Sequence, residues 1–242
     1  MLHLDDDLLI GRGLHRACYR HPRDPALCIK VVHNGDQTES QREQAYYRHL
    51  QGRLTDWSLL PRFHGVCTTD RGPGAVFDRV RDADGSTSVS LEACLTTPAT
   101  LDRYRQALPA ALAQLRAYLL RHGVLTMTIK PRNIALQRSD NGSALRCVIF
   151  DNIGCADWIP LALYSRRFAR RKILRRWQRF EARLLAEHPE AFRPAQDNSR
   201  SPRHTPAPLF HLPARKAAAK DTTTDAARAP STRPGAVPSR RS

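Results

Sequence analysis

The sequence predicts an α+β chain in two parts, followed by a basic tail. Three observations carry this reading. Over the first 82 residues, short β-favouring apolar runs alternate with turn-forming residues and are interrupted by one helical pattern. Residues 101–122 and 163–188 then repeat apolar side chains at helical spacing. From residue 189 onward, nine prolines fall within 54 residues and large apolar side chains are too few to offset the entropy of ordering, so this segment is expected to be disordered. The expected division is a sheet-and-helix part at 1–82, a mainly helical part at 83–188 and a disordered basic tail at 189–242.

Each element has its own signal. Residues 8–33 read as strand, turn, strand, with "ACY" and "LCIKVV" as the strands and "RHPRDP" as the turn. "QTESQREQAYYRHLQGRL" reads as a helix with Thr38 or Ser40 as its N-cap and Tyr46, Tyr47, Leu50 and Leu54 as its buried stripe. "LLPRFHGVCTTDRGPGAVFDRVRD" reads as two strands about the turn "DRGPG". Leu101, Tyr104, Leu108, Leu112, Leu115, Leu119 and Leu120 mark one helix over 101–122. "GVLTMTIKPRNIALQ" is a loop ending in a strand, "DNGSA" a turn, and "LRCVIFD" a strand ending at Asp151. In the long basic helix, Ile173, Trp177, Phe180 and Leu184 form the buried stripe. Arg166, Arg170, Arg175, Arg176, Arg179 and Arg183 fill much of the remainder.

Composition narrows the class. An apolar fraction of 41% suits a globular chain, and no run of about 18 apolar residues is present to span a membrane. The N-terminal "MLHLDDDLLI" is acidic and does not read as a secretory signal. Six scattered cysteines without a C-x-x-C pair read as reduced thiols, which points to the cytoplasm. The ten histidines show neither H-x-x-x-H nor H-E-x-x-H spacing, so no metal site of that kind is expected. The net charge of +16 is uneven: residues 1–162 carry +3 and residues 163–242 carry +13. The basic third could make a weak contact with nucleic acid or another anionic surface, though no recognised nucleic-acid module is present.

The chemistry-bearing residues fall in a distinctive order. Lys30 closes the strand "ALCIK" about 17 residues after the glycine pair Gly11 and Gly13 of "GRGLHR". Protein kinases need a strand lysine to hold nucleotide phosphates, a helix glutamate to hold that lysine, and a glycine-rich loop above the phosphates. Glu43 is the expected partner, with Glu39 second. Arg16 stands where a third glycine would fall, and Arg12, His15 and Arg16 could add positive charge. In "TMTIKPRNIAL", Lys130, Pro131 and Asn133 match the spacing D-x-K-P-x-N, with Thr128 at the aspartate position. Asn133 and Asp151 lie 18 residues apart across an expected hairpin and supply hard oxygen atoms suited to Mg2+. "DNIG" places Asp151 and Gly154 one residue further apart than in D-F-G. This order predicts a reduced protein-kinase-like, two-lobed fold that takes ATP and Mg2+. "AVFDRV", residues 75–80, falls where a segment touching adenine would lie.

The segments "RACYRHPRDPALCIKV", "YYRHL", "DWSLLPRFHG", "TMTIKPRNI" and "DNIG" closely resemble the bacterial YrbL family, named for the PhoP regulatory network. The resemblance runs over about residues 8–185. It implies a protein-kinase-like fold, a link by name to a Mg2+-responsive regulatory system, and a threonine at Thr128 that is the family's own version of the loop. A threonine cannot take a proton at neutral pH as a carboxylate does. Phosphoryl transfer depends mostly on positioning and charge, and Lys130 is still placed to neutralise a γ-phosphate. Three readings stay open: a slow phosphotransferase acting on a protein or small molecule, a regulatory pseudokinase, and an enzyme that phosphorylates its own Thr128.

Overall fold

A computed structural model describes residues 1–139, 144–155 and 165–192. Most of the expected "DNGSA" turn, the first two residues of the expected basic helix and the tail from residue 193 lie outside the described residues. The first part is a five-stranded antiparallel sheet: β1 (Leu9–Arg12), β2 (Arg16–Arg20), β3 (Leu27–Val32), β4 (Phe63–Thr69) and β5 (Gly72–Asp78). The strand order is β1-β2-β3-β5-β4, and α1 (Thr38–Gln51) connects β3 to β4. The second part holds α2 (Leu91–Thr96), α3 (Pro98–Tyr104), α4 (Leu108–His122) and α5 (Arg166–Glu187). These accompany a small sheet in which β7 (Ile134–Arg138) lies between β6 (Val89–Ser90) and β8 (Leu145–Ile149). The fold class is mixed α+β, as the sequence predicts.

Strand alternation separates two apolar clusters. On β3, Cys28 belongs with Phe77, Tyr47 and Leu50 in the main core, whereas Ile29 and Val31 belong to a second cluster with Leu4, Ala17, Tyr19 and Val76. The second cluster is covered by the N-terminal segment. Leu2 bonds to Thr68 O at 2.8 Å and accepts from Asp70 N at 3.0 Å, while Arg71 donates to Leu4 O at 2.7 Å and to Asp6 at 2.9 Å. Gly74 is required by packing on this sheet, because a Cβ there would lie 2.4 Å from Cγ2 of Ile29.

The main core runs continuously from the first sheet into the helices, through Tyr47, Phe77, Leu115, Ile149 and Trp177. Polar bonds pin the junction: Leu125 N donates to the Tyr46 hydroxyl at 2.8 Å, and Ile149 N to Leu59 O at 3.1 Å. Asp82, itself buried, accepts from Ser88 Oγ at 2.6 Å and Arg138 N at 3.0 Å, which anchors the segment after β5 against β7.

Several boundaries differ from expectation. Neither Thr38 nor Ser40 caps α1; Asp36 Oδ1 accepts from Thr38 N at 2.9 Å instead. The β4–β5 turn centres on Asp70–Arg71, so Pro73 and Gly74 lie within β5. Pro73 is tolerated because pairing to β3 has already ended at Val31↔Gly74. The single helix expected at 101–122 is divided between the end of α3 and all of α4, and a further helix, α2, begins at Leu91. Pro98 and Pro109 sit in the first turns of α3 and α4, where a missing N–H breaks no helical bond. The basic helix buries Ile173, Trp177, Phe180 and Leu184 as expected. Chain order also persists past 188: Pro189–Phe192 forms a 3-10 turn with Ala191 fully buried in the main core. Burial of that alanine and the packing of Phe192 hold four residues that composition assigned to the tail.

Candidate functional site

A cleft of about 1120 Å³ opens between the first sheet and the β7–β8 hairpin. Its lining includes Gly11, Gly13, Lys30, Lys130, Asn133 and Asp151. Glu43 lies behind the wall, and Thr128 is not part of the lining. The expected residues thus converge, with Glu43 acting from beneath and Thr128 set apart.

Local structure explains each placement. Cys28 and Lys30 alternate onto the cleft-facing side of β3, opposite Phe77 and Ala75 of β5. Lys30 Nζ lies 4.7 Å above the centre of the Phe77 ring. Glu43 shares the buried face of α1 with Tyr46, Tyr47 and Leu50, at offsets of three, four and seven residues, whereas Glu39 is exposed. Asn133 closes a 3-10 turn at Pro131–Asn133 that leads straight into β7. Phe150 N donates to Asn133 O at 3.0 Å, which brings Asp151 beside the asparagine. The hairpin register Ile134↔Ile149 fixes this approach.

Four charged side chains form one network. Lys30 Nζ donates to Phe150 O at 2.7 Å and to Asp151 Oδ1 at 3.2 Å, and lies 3.9 Å from Glu43 Oε2. Arg16 places one guanidinium nitrogen on Glu43 Oε2 and another on Asp151 Oδ1. Glu43 is 1% exposed, and its second oxygen accepts from Ile153 N at 3.4 Å. Burial works against the charge on Lys30, but Asp151 and Glu43 outweigh it and hold its pKa above the ordinary lysine value. Burial likewise opposes the Asp151 carboxylate, yet Lys30 and Arg16 keep its pKa below the ordinary aspartate value. For Arg16, burial is again overcome, by Glu43 first and then Asp151, so its pKa rises.

Other groups are less engaged. Asn133 is 5% exposed, and its Nδ2 is buried without a hydrogen-bond partner. An orphaned donor of this kind costs free energy unless something completes the site. Gly11 has open space where a Cβ would stand, and neither Gly11 nor Gly13 has positive φ. The fold itself therefore does not demand glycine there, and the bare backbone leaves room for a ligand. Thr128 is exposed, and its hydroxyl accepts from Asn152 Nδ2 at 3.1 Å. Asn152 is the one non-glycine with positive φ among the described residues, and Gly154 follows at φ 143°, a conformation suited to glycine. Residues 75–80 reach the cleft through Phe77, Asp78, Arg79 and Val80.

Arg16 has a role that the sequence does not reveal. Spacing allows it to add positive charge at the glycine loop; in the structure it turns inward to two carboxylates. The available signal was strand phase, since Arg16 and Cys18 alternate on β2 and Cys18 pairs with Lys30.

The oxygen atoms of Asn133 and Asp151 suit a hard cation, and the orphaned Asn133 amide favours a further occupant of the cleft. Comparison with known proteins defines the kinship. The family described as "PhoP regulatory network protein YrbL" matches residues 2–185. The chain belongs to this family. Two curated relatives, each named "Uncharacterized protein YrbL", come from Escherichia coli (strain K12) and Shigella flexneri. Each is 42% identical over 188 residues, covering 75% of this chain and 87% of the relative. Among solved structures, the PknI kinase domain of Mycobacterium tuberculosis, crystallised as a double mutant, overlays with a TM-score of 0.39 at 16% identity. That overlay covers 60% of this chain, which spans 57% of the kinase domain's length. No helix among the described residues is long and apolar enough to cross a membrane.

Proposed function

We propose that this YrbL-family chain is a kinase-like cytoplasmic protein that binds ATP with Mg2+ in the cleft and transfers phosphate slowly at most. The observation that carries the reading is the buried, unpartnered Asn133 amide beside the Lys30–Glu43–Asp151 network in a single cleft. The element order supports it too: a strand lysine, a following helix glutamate, and a hairpin carrying an asparagine and an aspartate. Lys30 would hold phosphate oxygens, the bare backbone at Gly11 and Gly13 would lie over them, and Asn133 and Asp151 would hold the metal. Mg2+, when bound, supplies charge neutralisation for the phosphates. Lys130 would add a positive charge from the opposite wall, and Phe77 to Val80 would line the base.

Thr128 supports the second reading, a regulatory pseudokinase. Its hydroxyl is exposed, tied to Asn152 and outside the cleft lining, and no carboxylate stands at this position to accept a substrate proton.

The decisive measurement is thermal unfolding with ATP, with and without Mg2+, on the wild type, Lys30→Ala and Asp151→Ala. The expected outcome is a Mg2+-dependent stabilisation of the wild type by about 2.7 kcal/mol at a hundredfold ligand excess over Kd, absent in both variants. Stabilisation that persists in both variants would put the nucleotide elsewhere. Labelled phosphate transfer by the same preparations separates the readings: binding without turnover favours the pseudokinase.

A further inference from the structure

Arg16 is the point at which the cleft departs from a simple nucleotide–metal site. Its guanidinium lies between Glu43 and Asp151 and bonds to both. The same Asp151 oxygen accepts from Lys30. These four side chains balance two positive against two negative charges, and Arg16 and Lys30 are only 11% and 9% exposed. A Mg2+ ion binds carboxylate oxygen at about 2.0–2.1 Å and tolerates little distortion of its shell. Asp151 Oδ1 already accepts from both Arg16 and Lys30, so the ion takes that atom only by displacing one of them, and at Oδ2 it meets the repulsion of the neighbouring guanidinium.

We propose that Arg16 and a divalent cation compete for Asp151, so that Arg16 sets the Mg2+ concentration at which the cleft takes up nucleotide. The second clause rests on the nucleotide reading above; the competition itself does not. Arg16 has an alternative anion to hand once phosphate arrives. It opens β2, three residues after Gly13, and its own backbone carbonyl accepts from Gly13 N at 2.8 Å, so it belongs to the hairpin that faces the cleft. A guanidinium exchanges carboxylate for phosphate readily because its forked donors fit either anion. Lys30 remains beside Glu43 at 3.9 Å, so that carboxylate keeps a cation when Arg16 turns away. Phosphate would then draw off Arg16 while metal occupies Asp151, and each ligand would strengthen the other by linkage.

The test compares Glu43→Gln with the double variant Glu43→Gln/Arg16→Gln, which avoids stranding a buried carboxylate. Manganese binding is measured without nucleotide, from the electron paramagnetic resonance signal of the free ion. The double variant is expected to bind Mn2+ about tenfold or more tightly than Glu43→Gln, the effect of removing one charge-assisted competitor. Equal Mn2+ affinity in the two proteins overturns the competition. In a parallel arm, Mg2+ is titrated at fixed ATP and thermal stabilisation is followed. The double variant is expected to reach half its stabilisation at a correspondingly lower Mg2+ concentration. An Mn2+ difference with no ATP stabilisation in any protein, wild type included, would uphold the competition and remove the nucleotide reading.

Discussion

The two walls of the cleft hold their polar groups in opposite ways. On the sheet side, Arg16, Lys30 and Glu43 are buried and mutually paired, and they reach across to Asp151. On the hairpin side, the Asn133 amide is buried without a partner, and Lys130 makes no ion pair among the described residues. The charges of the sheet wall are completed by Asp151 from across the cleft, whereas the Asn133 amide of the hairpin wall is left open for something else. A buried charge must be paired to be tolerated, so the paired wall is where structure and site are hardest to separate. The open wall can be altered with less consequence for folding.

The comparison is broken most severely at Glu43. Replacing it with Leu strands Arg16 and Lys30 in a buried place, and loss of about 3–5 kcal/mol is expected in urea denaturation. A loss below about 1 kcal/mol would mean that Asp151 alone satisfies both cations.

Asp151 gives a smaller, pH-dependent effect. Its pKa is lower in the folded chain than the ordinary 3.8, so its contribution is fully present above that value and is lost as pH falls through the depressed folded value. Acid unfolding profiles should therefore show a limb below about pH 4 that Asp151→Asn flattens. An unchanged acid limb in that variant would assign it to other carboxylates.

Thr128 should show the smallest effect. It is exposed and its hydroxyl bonds to Asn152, so Thr128→Ala is expected to change stability by no more than about 0.5 kcal/mol and to leave nucleotide stabilisation intact. A large loss of either would place this hydroxyl inside the working site.

Much of this arrangement is legible in the chain. The period-two alternation around Lys30, the helical phase of Glu43 with Tyr46 and Tyr47, and the hairpin bringing Asn133 to Asp151 all follow from spacing. Arg16 was not legible in the same way. Spacing places it on the cleft face of β2, but the direction of a long side chain is decided by which buried carboxylates lack a partner, and that is known only after the fold brings residues 16, 43 and 151 together. The helix break before Pro109 was obscured for another reason. The apolar period Leu101, Tyr104, Leu108 continues across it, and periodicity does not register a missing N–H. The ordered turn at Pro189–Phe192 escaped because two contacts, not composition, retain it.

The N-terminal strap over the first sheet has a practical meaning for anyone who shortens this protein. Leu4 is wholly enclosed, and it closes off Tyr19, Ile29, Val31 and Val76 on the side away from the cleft. A chain trimmed to begin at Leu9 would keep every cleft-lining side chain, yet it would bare a greasy sheet surface to its neighbours. Trouble with solubility in such a truncation would report a lost lid on the back of the molecule and carry no information about the ligand site.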